Sequence, residues 1–212
     1  RGVTGDRRRY TTLVDGTLLK ALPRIAEAMW LSTRTGTAHH AWRLHTHFDL
    51  DRHVPTRMDL TDGRNSGPSD EKAVLRKILA SDHCYVMDRW FAQSQLFNDI
   101  HRAGSRYVCR VRDNSLYEVA EERPLSAEAA EAGVLGDVVV RMGLSKRPDE
   151  RPDHPVRLGL VRVTPHEKRS NPKGNQGAGP SDGVLRIATD RPHVPAAGVA
   201  LLDPQRLPIE VF

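Results

Sequence analysis

Cys84-Tyr85-Val86-Met87-Asp88-Arg89, followed directly by Trp90 and Phe91, is a short apolar run that ends in an aspartate and passes into a helical pattern. Such a run predicts a buried strand. A strand of that kind is rigid, so the acid at its exit is held in place and exposed at one end of a sheet. Taken alone, Asp88 has two readings: a catalytic carboxylate, or a turn former and helix cap of the kind that many strands carry. The rest of the chain decides between them.

Upstream, Leu13-Val14-Asp15-Gly16-Thr17-Leu18-Leu19 predicts a strand with one acid inside an apolar run. Burying a carboxylate is costly unless it is paired, hydrogen-bonded or bound to a cation, so Asp15 needs a partner. Gly16 beside it removes a side chain where another group can approach closely. Residues 20–40 are irregular, with a short helix expected around Ile25 to Leu31. Trp42 to Leu50 alternates, with Leu44, Phe48 and Leu50 on one face and His45, His47 and Asp49 on the other. Val54 to Leu60 completes a meander of three strands.

Downstream of the turn-rich loop from Asp62 to Pro68, Ser69 is the expected N-cap of a helix that buries Val74, Leu75, Ile78 and Leu79. The strand ending at Asp88 comes next. A second helix follows, with Leu96, Phe97, Ile100 and Ala103 on one face and Gly104 at its C-terminal end. Arg106 to Arg112 then predicts a strand with Arg106, Arg110 and Arg112 on a common face. From about Asn114 to Asp182 the character changes to an Ala/Glu-rich stretch and strand-like runs at Val134 to Leu144 and Val156 to Val163. A Gly/Pro-rich segment from Thr164 to Gly183 reads as a loop. A short strand at Val184 to Ala188 and a helix from Val194 close the pattern, with Pro204 and Pro208 interrupting regular helix.

The bulk numbers bound the answer. At 212 residues the chain suits one domain with a sizeable core. Its 32 basic and 27 acidic residues leave a net charge of +5, compatible with a polyanionic partner without demanding one. Cys84 and Cys109 both fall in predicted buried strands and read as packed thiols. No stretch approaches the roughly 18 apolar residues of a membrane span.

With those residues in place, the chain resembles the catalytic domain of DDE-type transposases of bacterial insertion sequences, more narrowly the insertion-sequence-four-like family. Leu13-Val14-Asp15-Gly16-Thr17 resembles the family's first acidic strand, and Tyr85-Val86-Met87-Asp88-Arg89 its second. Arg43-Leu44-His45 and Val54-Pro55 resemble the two strands between them. The third acid of the family lies on a helix in the pattern Tyr, two residues, Arg, three residues, Glu. Arg206 and Glu210 have that spacing, with Asp203 where the Tyr is expected and Pro208 inside the helix. Trp90 stands where the family usually has Gly.

The resemblance implies an α/β fold: a ribonuclease-H-like mixed sheet flanked by helices, with a β-rich insertion before the last catalytic helix. The whole chain, 1–212, reads as a single catalytic domain truncated at both ends, with core 11–113 and 184–212 and the insertion at about 114–183. Asp15, Asp88 and Glu210 would be the catalytic carboxylates and would ligate two Mg²⁺ or Mn²⁺ ions, with Glu167 as a competitor for the third place. Arg89, Arg206, Arg110 and Arg112 would contact DNA. The implied activity is metal-dependent cleavage at element ends and transfer of the freed 3′-hydroxyl into target DNA. A homodimer in a bacterial cytoplasm, associated with the nucleoid, is the implied setting. Two rivals stand beside this reading: a decayed remnant that binds DNA without cutting it, and a non-transposing nuclease of the same fold. The His39-His40 and His45/His47 pairs also admit zinc, without a Cys cluster to support it.

Overall fold

A computed structural model describes residues 10–20, 29–32, 38–144, 146–163 and 183–202. Among them are the strands β1 (Tyr10–Lys20), β2 (Met29–Ser32), β3 (Ala38–Asp49), β4 (Val54–Asp62), β5 (His83–Met87) and β6 (Arg106–Val111). Four more follow: β7 (Tyr117–Glu122), β8 (Val134–Met142), β9 (Val156–Arg162) and β10 (Val184–Thr189). The helices are α1 (Glu71–Lys77), α2 (Ser94–Arg102), α3 (Ala127–Glu131) and α4 (Ala196–Leu202).

All these strands join one sheet, in the order β2-β3-β1-β5-β6-β10-β9-β8-β7, with β4 paired to β3. β1, β5 and β6 run parallel, and β3 is antiparallel to β1. An antiparallel meander feeding parallel strands joined through helices is the ribonuclease-H-like order that the sequence predicts. Residues 114–183 supply β7, α3, β8 and β9, which extend the same sheet edge to edge through β10.

The sheet is covered on both faces. Leu75 of α1 and Leu96, Phe97 and Ile100 of α2 pack with Val14, Tyr85, Met87 and Tyr107. Ala129 of α3 and Ala197 and Val199 of α4 pack with Leu13, Val86, Val108 and Ile187 on the other side. Phe97 stacks on Tyr107 with ring centroids 4.2 Å apart, which fixes α2 against β6. A pair of that kind adds about 0.5–1.5 kcal/mol beyond its area burial. Cys84 and Cys109 are buried on the neighbouring strands β5 and β6, as expected of packed thiols. No helix among the described residues is long and apolar enough to cross a membrane.

Two local expectations are corrected. Met29 to Leu31, placed in a short helix from the sequence, forms strand β2 against His39 to Ala41. A helix of so few residues gains little from its own hydrogen bonds, whereas pairing with β3 supplies a ready ladder. The N-cap of α1 is Asp70 rather than Ser69: the Asp70 carboxylate accepts from the backbone N–H of Lys72 and Ala73 at 2.9 and 3.3 Å. Ser69 Oγ donates instead to Asp62 Oδ2 at 2.8 Å.

The alternation in β3 does not divide inside from outside, because both of its faces are covered. His45, His47 and Asp49 are buried, and so is Phe48. His47 lies edge-on to Tyr85, ring centroids 6.2 Å apart. Burial pushes its pKa down from 6.5 to about 4. The fold therefore holds the neutral ring. As pH falls from 6.5 toward 4, the unfolded chain takes up a proton that the folded chain does not. Stability is expected to fall by up to about 3 kcal/mol over that window and no further below it. Denaturant midpoints at pH 7 and pH 4.5 check this. A His47→Leu variant should lose much of the difference, and an identical pH profile in that variant would exclude His47 as its source.

Candidate active site at the carboxyl end of the central strands

Parallel pairing of β1 with β5 runs from Tyr10↔His83 to Leu13↔Val86. Two residues further along each strand come Asp15 and Asp88. The register therefore brings the two acids level on adjacent central strands, which in sheets lie roughly 4.8 Å apart. Asp15 shares the side of the sheet taken by Leu13, since side chains alternate along a strand, while Asp88 follows the last residue of β5. The ladder stops there because β5 ends at Met87 and the chain bends through residues 88–93 into α2. Crevices at the carboxyl ends of strands are where open α/β sheets bind ligands.

Each acid is half-buried and has a local tie. Thr17 Oγ1 donates to Asp15 Oδ2 at 3.4 Å. Asp88 Oδ1 accepts from Trp90 N at 2.7 Å, and the Asp88 carbonyl accepts from Phe91 N and from the Cys109 thiol. Asp88 thus fills the turn-forming role, and that turn orients its side chain. Trp90 is exposed, with Lys72 Nζ 4.5 Å from the centre of its ring.

A third carboxylate stands beside the pair, and it is one the sequence reading passed over. Glu71, the first residue of α1, is 6 % exposed, and Arg43 Nη1 donates to its Oε1 at 2.5 Å. Asn65 holds it twice, accepting from Glu71 N at 3.0 Å and donating to Oε1 at 3.3 Å. The space that Gly16 leaves is filled by this carboxyl: a Cβ on Gly16 would lie 2.5 Å from Glu71 Cδ. Burial raises the Glu71 pKa; Arg43 pulls it down, Asp15 pushes it up, Lys72 lowers it and Asp88 raises it. The sequence did contain a signal, in the absence of a side chain next to Asp15, but nothing to say which group approaches.

Glu210, Arg206 and Glu167 lie outside the described residues, as do Asp203 and Pro208. The last described helix, α4, packs on the sheet face of Leu13 and Val86. Arg89 is exposed immediately after Asp88, Arg110 is half-buried in β6, and Arg112 is exposed just past its end. Arg112 and Lys146 line a cleft of about 620 Å³, together with Gln93 and Ser94 at the start of α2. Arg106, on the same face of β6 as Arg110, is instead engaged by Asp190 at 3.2 Å.

Two histidine groups are not cation sites. His45 Nε2 meets Thr61 Oγ1 at 2.7 Å, and His47 is packed on Tyr85, so this pair serves the core. His101, His154 and Asp190 offer ligand atoms within 4.8 Å of one another near the start of β6. The two rings, however, stack at 4.2 Å and 10°, which leaves their lone pairs in separate planes. Both nitrogens of His154 are engaged, by Asp153 and by the Tyr107 hydroxyl, each at 3.0 Å. Arg106 already supplies positive charge to Asp190. The cluster is a hydrogen-bonded hub that ties α2 and β6 to the end of β10.

A mixed sheet of this order, with acids at the ends of its central strands, defines an α/β domain of the ribonuclease-H-like class. The chain belongs to the transposase DDE domain family, whose profile matches residues 6–212. No curated protein matches it. Among solved structures, a piggyBac transposase in a synaptic complex with hairpin DNA aligns at 13 % identity, with a TM-score of 0.46. That alignment covers 87 % of this chain and 34 % of the other, so the chain spans about a third of that protein's length.

Proposed function

We propose that the protein is a DDE transposase that cleaves phosphodiester bonds at the ends of a DNA element and joins the freed 3′-hydroxyl to target DNA. The observation that carries this reading is the register of β1 on β5, which sets Asp15 level with Asp88 where the sheet opens. Carboxylate oxygens are the donors that Mg²⁺ and Mn²⁺ prefer, and partial burial strengthens their hold on a cation. Asp15 and Asp88 would hold the cations, with Glu210 brought in from the chain beyond α4. Two divalent ions, when bound, activate the attacking oxygen and stabilise the leaving one.

The chain's own residues do the rest. The Asp88 turn, tied to Trp90 and Phe91, keeps the carboxylate from swinging toward solvent. Arg89, Arg110, Arg112 and Arg206 supply positive charge for the DNA backbone, a role suited to guanidinium geometry. Arg112 and Lys146 place part of that charge in the cleft beside the segment that follows Asp88. The active assembly would be a homodimer on DNA, in the bacterial cytoplasm with the nucleoid.

The test is nicking of supercoiled plasmid in Mn²⁺, with an Asp88→Asn variant alongside. Cleavage by the parent alone supports the reading, and joining of a 3′-end to a second plasmid then separates a transposase from a simple nuclease. Absence of cleavage in both, with DNA binding retained, favours a remnant that has lost its chemistry, for which Asp203 and Pro208 are the first suspects.

A further inference from the structure

The cleft of about 620 Å³ that Arg112 and Lys146 line is built from groups the rest of the fold leaves unengaged. Ser94 and Gln95 of α2 form one wall, Arg112 and Ser115 a second, and Gly143 with Lys146 a third. α2 starts at Gln93 without a side-chain cap, and its first turn carries no acid. Phe97 N is the first of its amides to reach a carbonyl, that of Gln93. The Ser94 and Gln95 N–H groups therefore have no acceptor among the described residues. Amides at a helix start carry partial positive charge and favour an anion.

The charge of the cleft is positive. The acid that lines it, Glu150, is taken by Arg147 at 2.8 Å, and nearby Asp113 is 3.7 Å from Arg186. The exposed Arg112 guanidinium has neither an ion pair nor a hydrogen bond among the described residues. The walls are also held in place. Asn98, buried in α2, donates to the Arg151 carbonyl and accepts from Asp153 N, each at 3.0 Å. Arg151 in turn donates to the carbonyls of Lys146 and Leu144, at 3.0 and 3.2 Å. The turn that carries Lys146 is thus fixed against α2 in the absence of any ligand.

Position ties the cleft to the strand acids. Met87 pairs with Cys109, so Asp88 is level with Arg110, and Arg112 follows at the same end of the sheet. Ala92, at the cleft, is four residues after Asp88 and so at most about 14 Å from it. A DNA strand advances about 3.4 Å per nucleotide, which makes that span no more than about four nucleotides. We propose that the cleft seats a backbone phosphate of the DNA strand held at Asp15 and Asp88. The Ser94 and Gln95 N–H groups and the Arg112 guanidinium receive its oxygens, and Lys146 adds charge. The inference rests on the reading of the chain as a DNA-cutting transposase. It adds to that reading a positioning site that touches no reacting atom.

The experiment reads DNA binding without chemistry. A labelled duplex is titrated with the protein in EDTA at several NaCl concentrations, and unfolding midpoints are recorded beside it. Arg112→Ala and Lys146→Ala should each weaken binding to any sequence and lower the salt slope by about 0.9, the change for one lost phosphate contact. Ser94→Asp places a carboxylate where the phosphate would lie. It should weaken DNA binding while the midpoint stays level or rises, because an acid suits the start of a helix. A merely structural Ser94 would not move the two readings apart. Arg102→Ala removes an exposed cation at the other end of α2 and should leave the slope unchanged.

Parent-like salt slopes in Arg112→Ala and Lys146→Ala overturn the proposal, and Mn²⁺-dependent nicking by the same variants keeps the Asp15/Asp88 reading standing. An equal loss of slope in Arg102→Ala also overturns it, since general surface charge then suffices. Inorganic phosphate that raises the midpoint of the parent but not of Arg112→Ala, with DNA binding equal in the two, assigns the cleft to a small phosphate ligand and overturns it as well. A parent that does not bind DNA overturns the transposase reading, and the role of the cleft with it.

Discussion

Asp15→Asn and Asp88→Asn are each expected to reduce Mn²⁺-dependent DNA cleavage by more than about 10²-fold while leaving the fold intact. The lower bound follows from the 10–100-fold losses seen when only the partners of metal ligands are changed, since these residues would be the ligands themselves. The amide keeps the volume of the carboxylate and one acceptor oxygen. Asparagine at 88 can still accept from Trp90 N, so the turn into α2 survives. At 15 it can still accept from Thr17 Oγ1. What is lost in each case is one negative charge and one ligating oxygen. Plasmid nicking gives the activity, and circular dichroism with the unfolding midpoint reports the fold. Unchanged cleavage by either variant removes that aspartate from the site. Glu210→Gln should behave like the other two if the chain beyond α4 brings it to the same cations.

The largest expected loss of stability comes from a different place. Arg157 of β9 and Asp137 of β8 form a buried two-point pair, Nε to Oδ1 at 2.6 Å and Nη2 to Oδ2 at 2.7 Å. Arg157 Nη1 also donates to the carbonyls of Arg191 and Val194, at 3.0 and 2.5 Å. One side chain therefore ties two strands of the 114–183 region to the loop that starts α4. Arg157→Leu would strand the Asp137 carboxylate in the interior with Arg123, 3.7 Å away, as its remaining cation. Removing one partner of a buried pair costs about 3–5 kcal/mol. For a chain of this size that is roughly 6–20 °C in the unfolding midpoint. Replacing both members together, Asp137→Leu with Arg157→Leu, should cost much less, because no charge is left buried alone. A single variant within about 1 kcal/mol of the parent would show that water reaches the pair.

The two predictions test different levels of the molecule. The aspartates would carry the proposed chemistry, and the fold is expected to tolerate an isosteric amide at either. The Asp137–Arg157 pair carries no chemistry in the proposed reaction, and it tolerates a paired apolar exchange better than a single one. Variants of the second kind could still depress activity, because the Arg157 contacts hold the loop into α4, and α4 leads toward Glu210. A stability assay beside the nicking assay separates the two effects.

Most of the elements were legible along the chain because their signals are local. Alternation, apolar runs and helical spacing marked β1, β3, β4, β5, β6, α1 and α2 within a few residues of their observed ends. Gly104, expected at the end of α2, lies there with φ 76°. The N-cap of α1 was misplaced by one residue because Ser69 and Asp70 are both capping types. Only the fold shows which side chain meets the orphan N–H groups. β2 was missed because four residues carry too little periodicity to outweigh a helical reading, and its partner in β3 supplies the missing information.

Sequence alone determined that Asp15 lies in a strand, that Asp88 lies at a strand exit, and that Gly16 invites close approach. Tertiary structure alone decided that Asp15 and Asp88 stand level, and that the group filling the Gly16 space is the carboxylate of Glu71. It also decided that His101, His154 and Asp190 meet near the start of β6, and that Arg157 reaches the loop before α4. The division has one physical cause. Hydrophobic periodicity and turn chemistry are set by neighbours along the chain, so a sequence displays them directly. Pairing register and contacts through the sheet join residues tens of positions apart, and only the closed fold brings them together.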